Sequence, residues 1–593
     1  MRSWKYGIAA CMALFILALP SFAEGAQQGP WARPATNLAA PSETFNFGPP
    51  SIAVGPDGTV AVAWTKANDT SSRIQVAIRK PGKKFGKPVT VDSGQFNYRP
   101  QIVVAPNGTV TVAWLDFVDE FSEFDEIWTY KVATMPAGKS FGTPVNLDQF
   151  SSLGYGNLGS KNLALAVGSE GTTVVAWRAG PGGSHIEAAV RPKGGSFSTA
   201  ASLSTDDPVF SVSEPDVSVA SNGTATVVWS KTDANTNETV VQSAIRPAGG
   251  SFGSSEDLSQ PSIETVDLEV GPQNPQVTND RDGSTTVVWS RFDGTVNMIQ
   301  ASTRPDGGSF GTPTEISAAT PNEGNFDPQI AVGSDGSAVI VWISKRIQHW
   351  EVEYQDAWAF AYIPFVVSRK PGGEFVTNRP DFIGEWDRGV DGADPRAVIS
   401  PQGIVNVIWD QEMRDDRAER TYHVILTTSG PVGAVGSNKT NLTPRTGADA
   451  TNPELVSGPK GTLTAAWNLD DASGFRVQAS STLPAYCSKA TLNQWRGRTD
   501  LRKGTAYAIA KVGSAGRLWL EGSPDVKPFS TFVKKPGKVR VPLVPRGDAR
   551  KQLVRKGYVD LTAQLWFNPK PAKCSLKTKQ IRTRTYIGET EKN

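Results

Sequence analysis

The chain has 593 residues, 38% of them apolar, with 60 Lys or Arg against 58 Asp or Glu. This length allows two to four domains or one long repeat array, and the abundance of glycine and proline (57 and 42) marks a globular chain of strands and turns. That composition argues against long amphipathic helices, and only three histidines (His185, His349 and His423) argue against histidine-rich metal chemistry.

The amino terminus reads as a cleaved secretion signal, residues 1–23. Arg2 and Lys5 precede an apolar run from Ile8 to Leu19, and Ser21-Phe22-Ala23 is a small-x-small cleavage site. Cys11 precedes most of the apolar run and is read as part of the signal. No later stretch is apolar over the ~18 residues a membrane span needs, so the protein is expected outside the cell or on its surface and not membrane-spanning.

A fifteen-residue phrase then recurs eight times, first as Pro50-Ser-Ile-Ala-Val-Gly-Pro-Asp-Gly58-Thr-Val-Ala-Val-Ala-Trp64. Later copies end at Trp114, Trp177, Trp229, Trp289, Trp342, Trp409 and Trp467. Glycine lies six residues before every one of these tryptophans, and proline fourteen before all but the third, which has Leu163. Each copy predicts a β-hairpin turning at the glycine. Val60, Val62 and Trp64 would face one way and Ala61 and Ala63 the other, so that the bulky face of one sheet fills space over the small face of the next. A second hairpin follows in most copies, as in Arg246-Pro-Ala-Gly-Gly-Ser-Phe252. Four strands per repeat predict propeller blades. The eighth copy lacks a fourth strand, and the stretch from Trp31 to Leu38 is expected to supply it and close the ring.

The hairpin turns are short and constant, whereas the other links are long and variable. In four-stranded antiparallel blades the variable links share one end, where function is expected. There Trp128 stands among acidic residues in the second copy, and Trp350 and Trp358 in the sixth. Trp386 and Asp394 lie in the link after it, and Asp410 and Glu412 in the seventh copy. Aromatic faces beside carboxylates suit sugar rings, although the same residues could pack and solubilise the loops. The residues before the strand-one prolines should approach the central channel: Pro49, Arg99, Asn162, Glu214, Asn274, Asp327, Asp394 and Asn452. They could bind a polar ligand or a cation, but turn capping is the favoured role.

Residues 483–593 form a separate unit with strand-like runs at 504–510, 516–520, 538–543 and 558–567, read as a small β-sandwich. Cys487 and Cys574, the cysteines outside the signal, are expected to form a disulfide. Residues 487–593 carry 24 Lys or Arg against 7 Asp or Glu. Such a basic module suits an anionic cell-envelope polymer, although the lysines and arginines could simply solvate the fold. Its aromatics Tyr507, Trp519, Tyr558 and Trp566 fall at strand spacing and are assigned to the core, which argues against nucleic acid.

The phrase Asp57-Gly58-Thr59…Trp64 distantly resembles the repeated Asp box of sialidases, which are propellers. An Asp box places its tryptophan directly after the threonine, whereas four residues intervene here. Tyr98-Arg99-Pro100-Gln101-Ile102 is a loose echo of the sialidase Phe-Arg-Ile-Pro. The basic stretch from Cys487 to Arg584 resembles the β-rich C-terminal modules of secreted actinobacterial proteins.

The sequence therefore predicts an all-β protein. Residues 31–482 are expected to form an eight-bladed β-propeller of four-stranded blades, closed by the amino-terminal strand and followed by the sandwich. The expected function is binding of a glycan or protein by the variable face, without cofactor and as a monomer. Trp128, Trp350, Trp358, Trp386, Asp394, Asp410, Glu412, Arg99, Glu214 and Asp327 are the candidate contacts. The competing readings are a sialidase-like glycoside hydrolase or lyase, and a structural scaffold.

Overall fold

A computed structural model describes residues 31–586 apart from 33, 43, 120–125, 153–162, 181–182, 208, 264–273, 318–322, 353–354, 376–380, 383–391, 416–419, 436–438, 444–447, 483–491, 501–504, 513–514, 536 and 570–576. The signal segment, Asn162, Trp386 and the pair Cys487 and Cys574 lie outside the described residues. Among the described residues the fold is all-β with one helix.

Eight antiparallel sheets each carry one of the recurring tryptophans. In the first sheet, Ser51–Val54 pairs with Val60–Ala67, which pairs with Ser72–Arg79, which pairs with Val89–Gly94. The turn between the first two of these strands depends on Gly58, whose φ of 85° is open to glycine without penalty. Asp57 completes it by accepting the Thr59 amide at 2.8 Å. The equivalent glycines of the other seven copies also have positive φ.

Stacking of the sheets follows the bulky and small faces read from the sequence. Ala61, Ala63, Ile74 and Val76 of the first sheet pack against Val110, Val112 and Trp114 of the second. The same arrangement joins Ala466, Val477 and Ala479 of the eighth sheet to Val60, Val62 and Trp64 of the first. All eight tryptophans are 0–1% exposed. Replacing one by alanine would cost about 3–5 kcal/mol, because the facing sheet collapses only partly into the cavity left behind.

The first strand of each sheet lies beside that of the next, and Asp449–Ser457 of the eighth lies beside Ser51–Val54 of the first. The eighth sheet is completed from the amino terminus. Thr36–Asn37 pairs antiparallel with Arg476–Ser481, in the register Thr36↔Ala479 and Asn37↔Gln478. Trp31 bridges Thr482 and is 7% exposed. Arg79 of the first sheet reaches across to Ser481 and Thr464 of the eighth.

The carboxy-terminal unit has a three-stranded sheet (Leu492–Asp500, Thr505–Val512, Gly537–Leu543) and a four-stranded one (Phe529–Val533, Gly516–Leu520, Tyr558–Pro569, Lys577–Tyr586). Both contribute to one core containing Ala508, Val541, Leu518, Leu565 and Phe567. A helix, Gly547–Lys556, seals it with Ala549 and Leu553. Tyr507, Trp519 and Tyr558 are absent from that core, contrary to their sequence-based assignment, whereas Trp566 is buried at 9% exposure but on the other face of its strand. Strand alternation places Trp519 on the face away from the core, because Leu518 and Leu520 face in.

Candidate functional site

The first strands converge on a cavity of about 370 Å³, and the residues before the prolines line its mouth. Of the eight positions expected there, Pro49, Arg99, Glu214, Asn274, Asp327, Asp394 and Asn452 are lining residues. Five of these have left-handed backbone: Arg99 (φ 34°), Asn274 (34°), Asp327 (49°), Asp394 (47°) and Asn452 (54°). For all but Asn274 the cause is a bulge. The strand register slips between Tyr98 and Gln101, Phe326 and Gln329, Ala393 and Arg396, and Thr451 and Glu454. Proline lacks an amide proton, so it sits in the bulge without leaving a ladder donor unpaired. Asn and Asp tolerate left-handed geometry better than other side chains.

The bulges make this a ring of mutually supported polar groups. Asn274 donates through Nδ2 to Asp327 Oδ1 of the next sheet at 2.8 Å. Arg396 donates through Nε to Glu454 Oε1 of the next sheet at 3.0 Å. Ser51 Oγ accepts the Ile102 amide at 3.2 Å, and Asp216 Oδ2 the Val277 amide at 2.8 Å, each from the following sheet. Side chains one residue past the prolines thus satisfy donors that an innermost strand would otherwise present to the channel.

Carboxylates dominate the cavity: Glu214, Asp327, Asp394 and Glu454 against Arg99 and Arg396. Burial disfavours the charged Arg396, but Glu454, Asp394 and Asp327 outweigh it and raise its pKa above the ordinary arginine value. Among the described residues no group of three or more His, Cys, Asp and Glu is placed to hold a metal ion. Such a cavity can accept hydrogen bonds from hydroxyl or ammonium groups and anchor one acceptor on each guanidinium.

An aromatic ladder flanks Arg99. Tyr98 is 43% exposed and stacks on Trp128 at 6.3 Å, and Trp128 packs on Phe117 at 4.5 Å. Phe117 in turn meets Phe96 at 5.5 Å. Trp128 is therefore a half-buried support, and Tyr98 presents the ladder to solvent.

The other expected contacts are distributed differently. Asp410 is 4% exposed within Ile404–Asp415, and Glu412 is half-buried and pairs in register with His423. Neither lines the cavity. Trp350 and Trp358 occupy the long hairpin of Ala338–Val352 and Gln355–Arg369, in register with Ala357 and His349. Gln101, Gln276, Gln329, Arg396 and Glu454 line the cavity without having been singled out from the sequence. Their signal was available: each follows the proline and alternates with a core position such as Ile102 or Leu455.

No protein-family model and no curated protein matches the chain. Among solved structures, the α-L-arabinanase of Penicillium chrysogenum complexed with arabinobiose is 12% identical, with 52% of this chain and 92% of that one covered and a TM-score of 0.32. The polysaccharide lyase Uly1 is 9% identical, over 64% and 88% of the chains, with a TM-score of 0.38. The β-propeller domain of the Trilobed protease from Pyrococcus furiosus is 9% identical, over 68% and 97%, with a TM-score of 0.36. Likeness this slight fixes neither fold nor activity.

Proposed function

We propose that residues 31–482 form an eight-bladed β-propeller, exported by the amino-terminal signal, that binds a glycan at the mouth of its central channel. The observation that carries this reading is the ring of cavity-lining polar residues, five of them on left-handed backbone, with exposed Tyr98 next to Arg99 in the chain. Strained backbone repeated at one cavity favours a binding role, because strain of this kind persists where surrounding structure holds it for use. An oligosaccharide offers an apolar C–H face on one unit to Tyr98 and hydroxyls on other units to Asp327, Asp394 and Asn452.

Glycan-array binding by the full chain is expected, with affinity reduced about tenfold or more in Asp394→Asn and in Tyr98→Ala. Unchanged binding in both variants would remove the channel mouth as the site. A glycoside hydrolase or lyase is the competing reading, favoured by four carboxylates facing one cavity. Turnover of aryl glycosides or release of unsaturated oligosaccharides, abolished by Asp394→Asn, would replace the binding reading with the catalytic one.

A further inference from the structure

The outward face of the four-stranded carboxy-terminal sheet carries aromatic side chains that its core does not use. Trp519 is in register with Trp566 on one side and Ser530 on the other, and Arg517 with Phe532. The two indoles stack with centroids 6.3 Å apart and planes 13° from parallel. Trp566 is held in place by donating from Nε1 to Glu521 Oε2 at 3.0 Å. Arg517 donates through Nε to Ser530 Oγ at 3.1 Å, which draws the guanidinium across the row beside Trp519. Arg517 and Ser530 are exposed, Phe532 is 50% exposed and Trp519 is half-buried, while Trp566, 9% exposed, backs Trp519 as a buried support. Meanwhile Leu518, Leu520, Leu561, Leu565 and Phe567 fill the opposite face.

We propose that this face binds an acidic polysaccharide. Trp519, backed by the hydrogen-bonded Trp566, and the exposed ring of Phe532 offer flat surfaces that suit the C–H faces of sugars, and Glu521 and Gln564 supply acceptors for hydroxyls. Arg517 supplies a carboxylate partner within the row. The excess of 24 basic over 7 acidic residues in 487–593 supplies the long-range attraction. Nucleic acid, whose bases could also stack on the rings, is the competing ligand, and the retention test separates the two. The proposal is independent of the channel-mouth reading.

Affinity electrophoresis of the full chain tests it, in gels containing polygalacturonate, alginate or hyaluronate. At least one of these carboxylated polymers is expected to retard migration, with retardation weakening between about 0.05 and 0.5 M salt as charges are screened. Phe532→Ala, at an exposed position, should weaken retention roughly tenfold with an unchanged melting temperature, and Trp519→Ala should do the same. Arg517→Gln should flatten the salt dependence. Lack of retardation by all three polymers overturns the proposal. So does undiminished retention of the Phe532→Ala variant, or equal retention by polyphosphate or single-stranded DNA, which would reduce the surface to general anion or nucleic-acid binding.

Discussion

Arg99 holds the least comfortable backbone in the channel ring. Asn274, Asp327, Asp394 and Asn452 share its left-handed geometry, but their short polar side chains reduce the cost. For arginine the penalty is about 1–2 kcal/mol. Arg99→Gly should therefore be more stable than Arg99→Ala by about 1 kcal/mol, the reverse of the order in an ordinary strand. Urea unfolding of the two variants checks this, and a more stable alanine variant would mean that residue 99 is not left-handed. The ring itself was legible, because an Asn, Asp, Glu or Arg before a recurring proline stands out in the sequence. Its geometry was less so: capping predicts side chains turned back on their own turns, whereas Asn274 reaches sideways to Asp327. The outward tryptophans were legible too, had phase been weighed over type. Trp566 alternates in step with Asp560, Thr562 and Gln564, while Val559, Leu561, Ala563 and Leu565 keep the other phase.

Between strands, the third sheet contains a titratable latch. His185, 8% exposed at the start of His185–Arg191, sits 3.3 Å from Asp206 through Nδ1 and 3.5 Å from Glu187 through Nε2. Ser184 Oγ donates to Asp206 Oδ1 at 2.6 Å, so the latch fixes the link that follows Ala201–Ser202. The hydrogen bond to Glu187 is the chief cause of a raised His185 pKa; burial opposes it, and the charges of Asp206 and Glu187 add to it. A raised folded-state pKa contributes stability that is complete below the ordinary value of 6.5 and lost as pH rises through the raised one. His185→Gln should therefore lower the urea midpoint in mildly acidic buffer and converge with the parent protein in alkaline buffer. A constant difference across pH would show that packing, not charge, is what the substitution removed. The helix Gly547–Lys556 is the element that the sequence reading missed. Asp548 in its first turn, Arg555 and Lys556 in its last, and left-handed Gly557 after it are ordinary boundary signals. Ten residues with two buried side chains gave too weak an apolar stripe to stand out among strands.

At the scale of the molecule, the repeated glycines and tryptophans made the sheets legible, whereas the loops that distinguish one copy from another left no periodic trace. The two ends of residues 31–482 meet, since Trp31 bridges Thr482. Joining them through a short flexible linker and opening the chain at the exposed turn of residues 305–308 should therefore give a folded permutant, with buried-tryptophan fluorescence retained and a melting temperature within several degrees of the parent. An unfolded or aggregated permutant would show that the amino-terminal strand does more than complete the eighth sheet. Its pairing also sets an order of events. Asn37 bonds Gln478 across 441 residues of chain, so the segment that leaves the ribosome early cannot dock until almost every sheet has been synthesised. Until then Val62 and Trp64 of the first sheet lack Ala466, Val477 and Ala479 of the eighth, and the nascent protein carries an adhesive flank for most of its birth.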